Sequence, residues 1–415
     1  MLVSKYQSTK ILDNLNLLFI YLLPVALIVG SLIINIFIIL IILIFLITLS
    51  IRNEFYILKN KLLYFSGIIL IYLIFCASVN FENFNTLDKQ SIIRSIGFYR
   101  HVLLSFALGY YIKKLGNENF VKIWSIFFLI VIFDLIVEIL SGSNLLGFRS
   151  SYHGRLAGFT GDELKIGGYF FGFVFLTLAF IYKRKKNLLL PSAILFLVIS
   201  LLIGERANFL KVFIIILTGI FLIDKSSLKK KLGFALVTAL ICSTIFLTSH
   251  KIKGRFFYEI FQNKPETSFF ENIKRNRHAW HYATSFKIFK DYPFFGVGLK
   301  KFRKISHEEK YNKFNYGYGG SIHPHQFHFE WLAETGIIGY ILLLSFFCYS
   351  IILGFKEYIA NKNIFLLSSI LFLVVSLIPF IPSGSFFTTY GATIFWINFG
   401  FLIGNSKIFN SDKIL

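Results

Sequence analysis

Four groups of polar residues stand out in a chain that is otherwise mostly apolar. The first is His323-Pro324-His325-Gln326, followed by Glu330, Glu334 and Thr335-Gly336-Ile337-Ile338-Gly339. An imidazole can be neutral near neutral pH and take a proton from a hydroxyl, which makes either histidine of this group a candidate general base. A histidine standing alone at a membrane surface is more often a satisfied interfacial side chain. The second group is Gly204-Glu205-Arg206-Ala207-Asn208, a tight turn between two apolar runs. Arg206 lies at membrane depth or just outside it, where a guanidinium is costly and marks either a structural pair with Glu205 or another carboxylate, or a site. Its planar fork suits bidentate binding of phosphate. The third group is Lys274-Arg275-Asn276-Arg277-His278, with Phe302-Arg303 downstream. A helix starting there adds amide N–H groups and a positive dipole end, both favourable to an anion. Each of these bases alone suits anionic headgroups; as a group near Arg206 they would make a phosphate clamp. The fourth group runs from Gly147-Phe148-Arg149 through His153-Gly154-Arg155 to Asp162-Glu163, as a solvated loop or a ligand-contacting one. Two further sets, Arg100 with His101 and Asp134 with Glu138, read as structural ion pairs. The sequence has no GxxxxGK[ST] phosphate loop, no DxD pair and no GxSxG elbow, so its chemistry does not draw on a bound nucleoside triphosphate.

The elements that must position these residues are membrane helices. Of 415 residues, 56% are hydrophobic and only 15% charged, which leaves too little polar surface for a soluble protein. The net charge of +22 sits mostly in short loops between apolar runs, where Lys and Arg set topology, so nucleic acid is not an expected partner. Cys76, Cys242 and Cys348 lie inside apolar runs without metal spacing, so neither a disulfide framework nor a metal site is expected. The first apolar run, from Leu15 through Ile51, is about twice one bilayer crossing and reads as two helices split at Gly30-Ser31 rather than as a cleavable signal. Ten further runs bring the expectation to an all-α, polytopic protein of about twelve spans. Basic short loops such as Lys113-Lys114 and Lys183-Arg184-Lys185-Lys186 then place both termini in the cytoplasm.

The stretch from about Ser249 to Phe327 has no run long enough to span and reads as a large outer loop between helices nine and ten. The expected organisation is therefore residues 1–248 with nine spans, 249–328 as the loop and 329–415 with three spans. Within the loop, Ala279, Tyr282, Ala283, Phe286 and Phe289 recur at helical spacing, with Asn276 as a cap and Pro293 beyond the end.

His325-Gln326, nine residues and then Gly336-Ile337-Ile338-Gly339 resembles the H[NSQ]x9GxxG signature of bacterial O-antigen ligases. The stretch from Arg277 to Gly298, with its Asp291-Tyr292-Pro293-Phe294-Phe295-Gly296-Val297-Gly298, resembles the helix and turn preceding that signature in the O-antigen ligase and polymerase superfamily, and Gly204-Glu205-Arg206 resembles its membrane-edge arginine. The resemblance runs from about Arg155 to Gly339. It implies transfer of a glycan from undecaprenyl pyrophosphate to an acceptor sugar hydroxyl of lipid A-core, at the periplasmic face of the bacterial inner membrane, without cofactor or metal. By that resemblance Arg206 and Arg277, or Arg275 in a neighbouring register, hold the pyrophosphate, and His325 orients or deprotonates the acceptor. Arg155, Arg303, His323 and His278 are implied as further substrate contacts. The same residues would serve a polymerase whose acceptor is another lipid-linked repeat unit. A six-plus-six transporter fits less well, because its large segment would follow helix six.

Overall fold

The computed structural model describes residues 2–79, 86–223, 227–258, 276–312 and 320–407. Arg275 lies outside the described residues. Those residues fold as helices joined by turns, with no strand among them. The principal helices are α1 (Leu2–Tyr21), α2 (Leu23–Val29), α3 (Ser31–Arg52), α4 (Lys61–Val79), α5 (Thr86–Leu115), α6 (Glu118–Ser141), α7 (Ile166–Arg184), α8 (Leu189–Leu202), α9 (Arg206–Ile223), α10 (Leu228–Thr248), α11 (Arg277–Asp291), α12 (Phe327–Asn361), α13 (Ile364–Ser376) and α14 (Thr389–Asn405).

Each apolar run read from the sequence coincides with one of these helices or with the α1–α2 pair. Length and composition separate them further. Seven of the described helices (α3, α4, α6, α7, α9, α10 and α12) are long and apolar enough to cross a bilayer, and α1 with α2 makes an eighth if that bent pair is one span. The pair bends by 47° where Pro24 enters the first turn of α2, because proline removes an N–H and disfavours helix just before it. The other four helices behind the expected twelve are more polar (α5) or shorter (α8, α13 and α14). Such helices are stable because protein covers them. In α14 every residue from Ala392 to Gly404 is buried. Gly400 and Gly404 press it against Ser105, Leu108, Gly109 and Ile112 of α5, the close approach that small residues four apart permit.

Helix ends sort into two groups. At one end Arg52 pairs with Asp13 at 2.5 Å, Lys114 reaches the same carboxylate at 3.4 Å, and Arg184 pairs with Glu118 at 2.5 Å. At the other end, the beginnings of α3, α7, α9, α12 and α14 surround one cleft.

The segment from 249 to 326 carries short helical turns and α11, and none of its described helices is long enough to span. The side chain of Asn276 caps α11 by accepting from the His278 amide at 2.9 Å. Its buried face differs from the expected stripe: Trp280, Thr284, Ser285 and Ile288 face inward, while Phe286 is exposed. Ile288 joins a small core of its own with Val297, Phe302, Tyr311 and Ala333.

Candidate active site

The cleft encloses about 1210 Å³. Its wall includes the first turns of six helices: Ser31 of α3, Gly168 of α7, Arg206 to Asn208 of α9, His278 and Ala279 of α11, Phe327 of α12 and Thr389 to Gly391 of α14. Helix starts present unpaired N–H groups and a partial positive charge, so six of them around one space favour an anion. Arg94, Arg155, Lys165, Arg206, Lys211, Lys300 and Arg303 also line it, against Glu163 and Glu205. Deeper in, the wall turns apolar with Phe171, Phe372, Ile394 and Phe395.

Two arginines far apart in sequence meet here through backbone contact. Gly204 has φ +77°, and any Cβ there would collide with the Gly154 carbonyl. The Leu156 amide donates to the Ile203 carbonyl at 3.2 Å, which seats Arg155 beside the Gly204–Arg206 turn. Glu205 is buried; one of its carboxylate oxygens accepts from the Gly167 amide at 3.2 Å and the other from Asn208. Burial pushes this carboxyl up, opposed by Asn208 and Arg155. Arg206 donates from Nη1 to the Arg255 carbonyl at 3.2 Å.

The loop carrying Arg155 rests on Asp134 and Glu138, and this corrects the expectation of ion pairs. Asp134 accepts from the Leu145 amide at 2.9 Å, and Glu138 accepts from Ala157 and Gly158 at 2.7 and 2.8 Å. Both carboxylates thus act on backbone, because the loop turns its unpaired amides toward the top of α6. Arg100 likewise donates to Thr389 at 3.2 Å and to the Gly97 carbonyl rather than to a carboxylate. His101 meets the Phe98 carbonyl at 3.2 Å.

His325 has φ +59°, an uncommon conformation for a non-glycine residue, and its carbonyl accepts from the Ser383 amide at 2.8 Å. Three imidazoles surround its ring: His323 at 4.0 Å between centroids, His281 at 5.1 Å and stacked, and His278 at 5.4 Å. Burial lowers all four. The His323 imidazole is pushed down to about 3, with His325 and Lys300 adding to the effect, and His278 and His281 to about 4, with His325 adding to each. His325 is lowered by burial. Neutral imidazoles are the outcome, as a proton acceptor requires. His328, on the next turn, is bound to the Leu377 carbonyl at 2.8 Å and to Tyr340 at 3.1 Å, a structural arrangement.

The residues after His325 hold it in place. Gln326 caps α12 by accepting from the Phe329 amide at 3.2 Å. Ten residues on, the helix breaks at Gly336, with φ +65°. There the 293–298 turn docks on it: Val297 N–H donates to Ala333 O at 3.0 Å, Gly298 N–H to Glu334 O at 2.9 Å and Ile337 N–H to Pro293 O at 2.8 Å. A Cβ on either Gly296 or Gly336 would overlap the opposing backbone. The Tyr72 hydroxyl also donates to the Thr335 carbonyl at 2.8 Å. The two glycine motifs are therefore two halves of one junction.

Residues 191–344 match the family model described as O-antigen ligase. Over that stretch, which is less than half of the chain, the sequence is similar to the O-antigen ligase family. A search of the curated proteins finds no match. The O-antigen ligase match takes in the Arg206 turn, α11, the 293–298 turn and the His325 signature, whereas Arg155 and the 376–391 wall lie outside it.

Arg155, Arg206, Arg303, His278, His323 and His325 all line the cleft. Arg277 is exposed at the start of α11 and is not among the lining residues; His278, one position on, takes that place. Lys300 is anchored by Ser385 at 2.8 Å and lies 3.9 Å from Glu330, which also accepts from the Phe386 amide at 2.6 Å. His281, Lys300 and Lys211 were not singled out from the sequence, and Tyr282, read there as part of an apolar stripe, lines the cleft instead. The signal for Lys211 was present, as a lone cation inside an apolar run. That for His281 was its place one helical turn from His278. Among the described residues no group of three or more His, Cys, Asp or Glu could hold a metal ion.

Proposed function

We propose that the chain is a membrane glycosyltransferase that moves an O-antigen glycan from undecaprenyl pyrophosphate to a hydroxyl of lipid A-core. The observation that carries this reading is the meeting of Arg155, Arg206 and His325 in one cleft ringed by helix starts. Arg206 and Arg155 neutralise the pyrophosphate, and the apolar depth of the cleft takes the prenyl chain. His325 accepts the proton of the acceptor hydroxyl as its oxygen bonds to the sugar C1 and the C1–O bond to pyrophosphate breaks. The lipid pyrophosphate departs with the bonding electrons. Its leaving group comes with the donor, so the remaining work is positioning and charge stabilisation. Arg303 and His323, on the other side of His325, contact the acceptor, and His278 stands on the donor side with Arg206. Arg277, exposed at the start of α11, attracts the donor headgroup; Arg275 lies outside the described residues.

In this reading the chain crosses the bacterial inner membrane twelve times. The basic loops at the end opposite the cleft face the cytoplasm with both termini, and the cleft faces the periplasm. The test is the lipopolysaccharide profile of a deletion strain. Loss of polymer from lipid A-core, with polymer accumulating on the lipid carrier, supports ligase activity. Single-repeat caps would instead identify a polymerase.

A further inference from the structure

Lys211 lies five residues into α9 from Arg206, a rise of about 7.5 Å toward the apolar part of the cleft. It is only 5% exposed, yet it lines the cleft. Two other lysines near the site are comparably buried, and each has a carboxylate: Lys300 stands 3.9 Å from Glu330, and Lys301 stands 2.5 Å from Asp88. Lys211 has none within 4 Å among the described residues. Its ammonium lies 5.7 Å from the centre of the Phe171 ring. Glu205 attracts it at longer range, but that carboxylate is already held by the Gly167 amide and Asn208. A cation at such depth is costly without a counter-charge, and an apolar side chain would fill the same space more favourably.

The deep wall around Lys211 is apolar, formed by Phe171, Phe372 and Ile394. A ligand that places an anion at Lys211 and a hydrocarbon beside it is an amphiphile. We propose that Lys211 binds the phosphate joined directly to the prenyl chain of the donor, while Arg206 binds the outer phosphate joined to the sugar. This inference rests on the donor assignment made above and divides the pyrophosphate between two cations at different depths.

The experiment uses the full chain in detergent, with undecaprenyl monophosphate and undecaprenyl pyrophosphate as probes, and reads affinity together with thermal stability. The wild type should bind both lipids. Lys211→Met should be at least as heat-stable as the wild type without lipid, because a buried charge has been removed. Its affinity for both lipids should fall about ten- to a hundredfold, as expected for a lost charge-assisted contact. Arg206→Ala should weaken the pyrophosphate lipid and leave the monophosphate lipid within a few-fold. Lys211→Gln repeats the test if the Met variant does not fold. Wild-type affinity of both Lys211 variants would overturn the inference and leave the donor reading intact. So would displacement of the probes by phosphatidylglycerol at equal concentration, which would make Lys211 a general headgroup contact. If the wild type binds neither lipid, the donor reading itself fails.

Discussion

Four lowered imidazoles clustered around His325, three of them lining the cleft, have consequences that acid exposes. Unfolded, these rings protonate near the ordinary value of 6.5; folded, His323 does so near 3 and His278 and His281 near 4. Between those limits the unfolded chain binds more protons, so stability should fall as pH drops below about 6.5. Melting of the detergent-solubilised protein between about pH 7 and 5 checks this, and His323→Asn should flatten the slope. A slope unchanged by that substitution would show that His323 is not among the rings responsible. The same depression keeps His325 unprotonated to lower pH, so the acid limb of transfer activity should lie below 6.5. Arg206→Ala should cost about 2–4 kcal/mol in transition-state stabilisation, read as kcat/KM, with Arg206→Lys recovering only part because a lysine lacks the fork. At this scale Arg206 and His325 were legible from type and spacing. Lys211 was absorbed into an apolar run, and the closeness of His281 to His325 depends on how the loop folds.

Among the elements, the bounds of α11 were legible in Asn276 and Pro293, but its inward face was not. Periodicity marks an apolar stripe without saying which surface covers it, and α11 lies between two: Ile288 packs on a small core while Tyr282 faces the cleft. The count of spans has a similar limit. A run of apolar residues signals burial, and α13 and α14 satisfy it against protein. The junction of α12 with the 293–298 turn explains physically why a glycine pair follows His325 at its spacing. Gly336→Ala should strain the backbone by about 1–3 kcal/mol and add a steric clash with the Phe294 carbonyl. Its melting temperature and membrane abundance should drop, while an unchanged melting temperature would show that the junction is not needed. Tyr72→Phe, which loses the hydroxyl bond to Thr335, should cost less.

Across the whole molecule, the alternation of basic and charge-poor loops in the sequence anticipates two chemically different ends. Leu146 is exposed in the loop that carries Arg155, and Lys185 follows α7 in the opposite group of helix ends. In chains whose three native cysteines are replaced, a cysteine at Leu146 should react with an impermeant thiol reagent from the periplasm, and one at Lys185 only from the cytoplasm. The reverse pattern would invert the orientation. Convergence of the site was the least legible property, because Arg155, Arg206 and His325 are brought together by loop contacts between chain segments distant in sequence. The central claim is that this convergence performs glycan transfer. Its most direct measurement is transfer from undecaprenyl pyrophosphate to lipid A-core by the purified chain in vesicles, comparing wild type with His325→Ala. The account predicts a loss of about 10²–10⁴-fold in rate with donor affinity retained; transfer at the wild-type rate by a correctly folded His325→Ala protein would contradict it.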